Sequence, residues 1–132
     1  MTRFAIDAVV ALRIVREGIT VPSRHSLVGP SLLRSDALSM LYRQVLAGEL
    51  DSRHGRELLE GIAALKIRLL GDRVSRATAW RIAADLGWPD TPRAEYLAVA
   101  TLQADAFISD DPELASAAAR VTRVAPWAEL LE

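Results

Sequence analysis

The chain has 132 residues, 51% hydrophobic and 25% charged, a composition that suits one folded domain and excludes an intrinsically disordered chain. Lys+Arg number 16 against Asp+Glu 17, so the net charge of −1 does not announce a nucleic-acid binder, although a local basic face can coexist with an acidic pocket. Cysteine is absent, which excludes disulfides and thiolate metal sites.

Lys66 is the only lysine, and arginine carries the remaining positive charge. Arginine binds phosphate bidentately, but a GC-rich genome produces the same skew. No secretory pattern opens the chain, since Asp7, Arg13 and Arg16 interrupt it. No uncharged apolar run is long enough to span a bilayer. The expectation is a soluble cytoplasmic protein with no membrane partner.

In chain order, Arg3 to Ile6 is short and apolar and reads as a buried strand ending at Asp7. Ala8 to Arg16 follows as a helix that stops at Gly18. Ser26 to Val28 is a second strand, closed by Gly29-Pro30. Ser31 begins a helix through about Ala47, with Leu32, Leu33, Leu38, Met40, Leu41, Val45 and Leu46 as its apolar stripe and Gly48 as its stop. Asp51 or Ser52 caps the next helix, which runs through Leu65. Ile67 to Leu70 reads as a short strand. Ser75 caps a helix that Gly87 ends, and Thr91-Pro92 starts another through Leu102, with proline in its first turn. Ala106 to Ile108 is a strand, Pro112 to Arg120 a helix, Val121 to Ala125 a last strand, and Pro126 to Leu131 a terminal helical turn. Strands alternate with helices, which predicts a single α/β domain over residues 1–132: three layers, α/β/α, around a mostly parallel sheet.

Three aspartates stand where an apolar element ends or a helix begins: Asp7, Asp36 and the Asp110-Asp111 pair. In a parallel sheet, ligands gather at the carboxyl ends of the strands. Carboxylates meeting there repel one another unless a hard divalent cation, Mg²⁺ or Mn²⁺, joins them. Each residue also has a plainer reading. Asp7 reads equally as the N-cap of the first helix. Asp36 lies inside a helix, where aspartate has poor propensity, but a solvated helix face explains it too. Asp110-Asp111-Pro112-Glu113 is a good helix start. Neither His25 nor His54 is spaced as a zinc ligand. No glycine-rich phosphate loop is present.

Taken together, Ala5-Ile6-Asp7-Ala8, Pro30-Ser31-Leu32-Leu33-Arg34-Ser35-Asp36, and Ala94-Glu95-Tyr96-Leu97-Ala98-Val99-Ala100 followed by Phe107-Ile108-Ser109-Asp110-Asp111 resemble the PIN-domain family, specifically small VapC-type toxins. Their order and spacing cover essentially the whole chain. The resemblance implies a metal-dependent endoribonuclease, the toxin of a toxin–antitoxin pair. It implies Mg²⁺ or Mn²⁺ held by Asp7, Asp36 and Asp111, with Ser109 two positions before the last acid. It also implies a cognate antitoxin as partner. One position departs. The family commonly carries another aspartate three residues before the tyrosine, where this chain has Arg93. A cation there predicts weaker metal binding, with Mn²⁺ preferred; whether Asp90, whose backbone Pro92 constrains, or Asp110 substitutes as a ligand is left open by the sequence. It also motivates the alternative of a catalytically degenerate PIN-fold protein that holds antitoxin or RNA without cutting efficiently. Structured RNA, cut in a single-stranded loop, is the expected substrate. A symmetric homodimer is expected from apolar helix faces around Leu58, Leu59, Ile62 and Trp80.

Overall fold

The run Phe4-Ala5-Ile6 carries no polar side chain, so it must be covered on both faces. In the computed structural model, which describes residues 1–132, it ends the strand β1 (Thr2–Ile6), an inner strand of a four-stranded sheet. The other strands are β2 (His25–Pro30), β3 (Arg68–Leu70) and β4 (Ala106–Ile108). They lie in the order β3-β2-β1-β4, and every pairing is parallel. Phe4 faces Leu27 on one side and Ala106 on the other, and Ile6 faces Ile108. The three residues of β4 are as deeply buried as Phe4, Ala5 and Ile6 at the end of β1. These apolar segments are covered on both faces, as in parallel strands wrapped by crossovers.

Helices supply the outer layers. α1 (Ala8–Arg16), α2 (Leu33–Leu46) and α3 (Ser52–Ala64) pack on one another. α4 (Arg73–Leu86) packs on α5 (Pro92–Gln103), and α5 lies across β1, β2 and β4. Two short helices, α6 (Pro112–Ala118) and α7 (Trp127–Leu131), complete the chain. The architecture is the expected α/β class with a parallel central sheet between helices. No helix is long and apolar enough to cross a membrane.

Local chemistry explains the element ends. Asp7, Asp51, Asp72 and Asp111 each cap a helix by accepting a backbone N–H from its first turn. Gly87 closes α4 at φ 68°, a left-handed conformation that glycine adopts without strain. Gly61 has another role: a Cβ there would collide with Val15, so the glycine lets α3 approach α1.

Several details differ from the sequence reading. α4 begins at Arg73 because Asp72, rather than Ser75, is its cap; the Ser75 amide donates to Asp72 at 2.8 Å. The expected strand over Val121 to Ala125 is a single bridge, Phe107 to Val124. Leu58 and Ile62 are core residues and Leu59 is half-buried, because α3 turns that stripe inward. The exposed apolar side chains lie elsewhere: Leu38, Tyr42 and Leu46 on α2, and Val74 and Trp80 on α4. Of the faces expected to be exposed, only the one around Trp80, 74% accessible, is solvent-facing.

Candidate active site

The sheet order sets the location. From β1 the chain crosses to β2 and then β3 on one side, and returns to place β4 on the other side of β1. The carboxyl ends of β1 and β4 therefore flank a switch point, where open parallel sheets leave a crevice. Asp7 directly follows β1, and Ser109 directly follows β4. Asp36 reaches the same place from the first turn of α2, and Asp111 from the cap of α6. Asp7, Asp36 and Asp111 line one cavity of about 220 Å³, together with Arg93, Tyr96 and Met40.

Asp7 is the most deeply placed acid, with 5% of its surface accessible. Its Oδ1 accepts from the Val10 amide at 2.9 Å, and its Oδ2 accepts from Ser109 Oγ at 2.5 Å. Capping and site membership thus coexist in one side chain. Burial pushes the Asp7 carboxyl above the ordinary aspartate range. The bonds from Ser109 and Val10 oppose that rise, while the nearby charges of Asp110 and Asp111 add to it. Ser109 Oγ also accepts from the Asp111 amide at 3.0 Å, so one hydroxyl ties the loop after β4 to the end of β1.

Asp36 is held by Tyr96, whose hydroxyl donates to Asp36 Oδ2 at 2.6 Å. Burial, followed by the bond to Asp36, raises the Tyr96 phenol well above its ordinary value, so it remains a donor. Glu95, beside it on α5, is also raised, first by burial and then by the charge of Asp36. Asp111 caps α6 through Oδ1, which accepts from the Glu113 amide at 3.0 Å and the Leu114 amide at 3.4 Å. Its Oδ2 accepts from Arg93 at 3.3 Å, and the same guanidinium reaches Glu113 at 3.1 Å. Trp88 supports Arg93 from another side, its ring centroid 5.0 Å from the guanidinium carbon. Arg93 is therefore at the site.

The donor set consists of carboxylate oxygens, which suits a hard divalent cation. As arranged, however, no three His, Asp or Glu side chains are grouped so as to hold a metal ion. Arg93 accounts for part of this, since its guanidinium takes the Asp111 oxygen that a cation would use. Neither substitute acid lines the cavity. Asp110 turns outward to Arg13 at 3.5 Å, and Asp90 is exposed.

In the sequence Glu95 and Tyr96 stand only as part of the Ala94–Ala100 motif, with no role of their own at the site. The available signal was the Tyr96 hydroxyl, which needs a partner when buried. A larger cavity of about 610 Å³ lies at the opposite end of the strands, lined by Ile19, His25, Leu27, Lys66 and Ile67 among others. It contains no carboxylate and stands apart from the acids.

No protein-family model matches the chain, and no curated protein gives a significant match to it. Among solved structures, the chain is similar to PAE2754 from Pyrobaculum aerophilum, with a TM-score of 0.68 at 18% sequence identity. The match covers 98% of this chain and 93% of that one. It supports the fold across the full length.

Proposed function

We propose that the chain is a metal-dependent endoribonuclease of PIN type, the toxin of a toxin–antitoxin pair. One observation carries the reading: three aspartates from three distant segments line a single cavity at the switch point of the parallel sheet. Asp7, Asp36 and Asp111 would hold Mg²⁺ or Mn²⁺. A bound ion of this kind lowers the pKa of a bound water and neutralises charge that develops at phosphorus. The chain's own groups orient the acids. Ser109 fixes Asp7, Tyr96 fixes Asp36, and the cap of α6 fixes Asp111. The substrate is RNA, cut where unstacked bases can be splayed into the crevice. A cognate antitoxin and a second copy of the chain are the proposed partners for the exposed apolar residues of α2 and α4.

A second reading is favoured by the Arg93–Asp111 pair at 3.3 Å. An internal cation already satisfies one acid, as in a protein that retains the fold and binds RNA or antitoxin without efficient cleavage. Incubating a stem-loop RNA with purified protein in Mn²⁺, in EDTA, and with Asp7→Asn separates the two. Metal-dependent cutting that Asp7→Asn abolishes supports the nuclease. RNA bound and left intact in Mn²⁺ supports the binder. Equal cutting by both proteins would sink the proposed site.

A further inference from the structure

At the end of the sheet away from the acids, two crossovers return side by side. The chain leaves α1 through Gly18, in the left-handed conformation at φ 63°, and comes back to the start of β2. It leaves α3 through Leu65, in extended conformation, and comes back to the start of β3. β2 and β3 are neighbours, so the two connections face one another. Residues of both line the cavity of about 610 Å³, a size within the ~300–1,000 Å³ range of small-molecule sites. Ile19, Val21, Leu27, Leu65 and Ile67 give it an apolar wall.

His25 is the chemical feature of that wall. Its ring meets the Phe4 ring in a T-shaped contact, with centroids 5.0 Å apart. Nδ1 and Nε2 are both buried, and neither has a hydrogen-bond partner. A neutral imidazole presents one N–H donor and one acceptor, so both are left unmet. Buried polar groups are nearly always paired, and an orphan of this kind marks a strain reservoir or a site for something that supplies the partner. The ring lines the cavity, and its χ2 is a soft torsion, so a small rotation turns a nitrogen toward the open space. Lys66 and Arg68 line the same space, and no carboxylate does. Apolar walls with a few convergent polar groups are the usual make-up of a ligand pocket.

We infer that this cavity binds a small organic monocarboxylate with an apolar body. The body lies on Ile19, Val21, Leu27 and Ile67, and the carboxylate accepts from a His25 ring N–H and from the Lys66 ammonium. Two oxygens suit two donors of different kinds. A cation would meet the charges of Lys66 and Arg68 with no acid to offset them. Inorganic phosphate would leave the apolar wall unused. The site shares no residue with the acid cavity, so it stands whether or not the chain cuts RNA.

The chain has two histidines, His25 and His54, so isotopic labelling of histidine alone reports on the site and supplies its control. His54 is exposed on α3 and lies outside the cavity. Decanoate, below its micellar concentration, is titrated into the labelled full chain and followed by nuclear magnetic resonance. Decanol, decyltrimethylammonium and inorganic phosphate are titrated in parallel. Decanoate should shift the His25 ring signals saturably and leave those of His54 in place. Decanol should bind about tenfold more weakly, the loss of one charge-assisted contact pair. The cation and phosphate should not saturate the site. In calorimetry, His25→Phe keeps a ring against Phe4 without its nitrogens and should weaken decanoate about tenfold. Lys66→Gln, at an exposed position, should weaken it about threefold, and Arg53→Gln on α3 should leave it unchanged.

Unmoved His25 signals overturn the site, and so does equal movement of His54, which means adsorption over the surface. Equal affinity for decanol and decanoate reduces the cavity to an apolar hole and overturns the carboxylate. Saturation by phosphate or by the cation overturns it too. Wild-type affinity in both His25→Phe and Lys66→Gln removes the two proposed donors. An equal loss in Arg53→Gln assigns the effect to general surface charge. Where His25→Phe fails to fold, Lys66→Gln and the decanol comparison decide alone.

Discussion

Ser109 Oγ donates to Asp7 Oδ2 at 2.5 Å across the junction of β1 and β4. The same oxygen accepts from the Asp111 amide at 3.0 Å, so a single hydroxyl sets the spacing of two candidate metal ligands. Ser109→Ala leaves Asp7 with one donor and the Asp111 amide without its acceptor. A hydrogen bond to a charged group contributes about 1.5–3 kcal/mol when buried, and partial exposure reduces it here to about 1–2 kcal/mol. Urea unfolding should show that loss in Ser109→Ala and little loss in Ser109→Thr, which keeps the hydroxyl. Equal midpoints for Ser109→Ala and wild type would mean that the bond is not formed in solution.

Asp7 gives a pH dependence of defined sign. Its folded carboxyl is raised above the ordinary 3.8, with burial the leading cause. Its contribution to stability is therefore fully present below the unfolded value and is lost as pH rises through the folded value. At neutral pH the buried charge is a burden that Asp7→Asn removes, while the amide oxygen can still cap α1. In EDTA, the melting temperature of Asp7→Asn relative to wild type should rise as pH goes from 3.8 to 7, on top of a pH-independent loss of the Ser109 bond, because the amide NH2 in place of Oδ2 cannot accept from Ser109 Oγ. A difference that stayed constant across that window would separate the effect from Asp7 ionisation.

The sequence made the parallel sheet readable because β1 and β4 are short apolar runs on both faces, and a buried parallel strand has no alternating pattern to confuse. Asp7 and Asp111 were readable because a carboxylate at the end of such a run must cap, coordinate, or do both. The inward face of α3 was not. Leu58, Leu59 and Ile62 have helical spacing whether they meet the core or a partner, and only the crossing of α3 over α1 at Gly61 decides it. The final strand was misread because Val121 to Ala125 has strand composition but makes only one bridge to β4. The bond from Tyr96 to Asp36 was not legible, because helical periodicity registers the ring and ignores the hydroxyl.

Tyr96 therefore provides a separate check on the site. It is 4% accessible, and its hydroxyl meets Asp36 at 2.6 Å. Tyr96→Phe keeps the ring in place and removes only the donor. The expected cost is about 1–2 kcal/mol in urea unfolding, because Asp36 loses a charge-assisted bond. If Asp36 serves the reaction, cleavage at saturating Mn²⁺ should fall about tenfold, the equivalent of ~1.4 kcal/mol of misplaced ligand. Full activity together with a stability loss would make the Tyr96–Asp36 bond purely architectural.

Arg93 gives the decisive substitution. Its guanidinium bridges Asp111 at 3.3 Å and Glu113 at 3.1 Å and stacks near Trp88. A divalent ion entering the cavity must compete with that cation for Asp111, and it also feels the repulsion of a fixed positive charge. Two unit charges 4 Å apart interact by about 4 kcal/mol at an effective dielectric of 20, and exposure of the pair reduces that figure. Replacing the cation by an acid reverses both effects. Arg93→Asp should tighten Mn²⁺ binding about tenfold or more in calorimetric titration and raise the rate of RNA cutting. Arg93→Gln removes the charge without adding a ligand, so it should fall between the two. Removing the Asp111 and Glu113 ion pairs should cost less than about 1 kcal/mol of stability, because every partner is more than a third exposed. Equal Mn²⁺ affinity in all three proteins would mean that Asp7, Asp36 and Asp111 do not share a metal. Tighter binding without cutting in Arg93→Asp would leave a metal site but no nuclease.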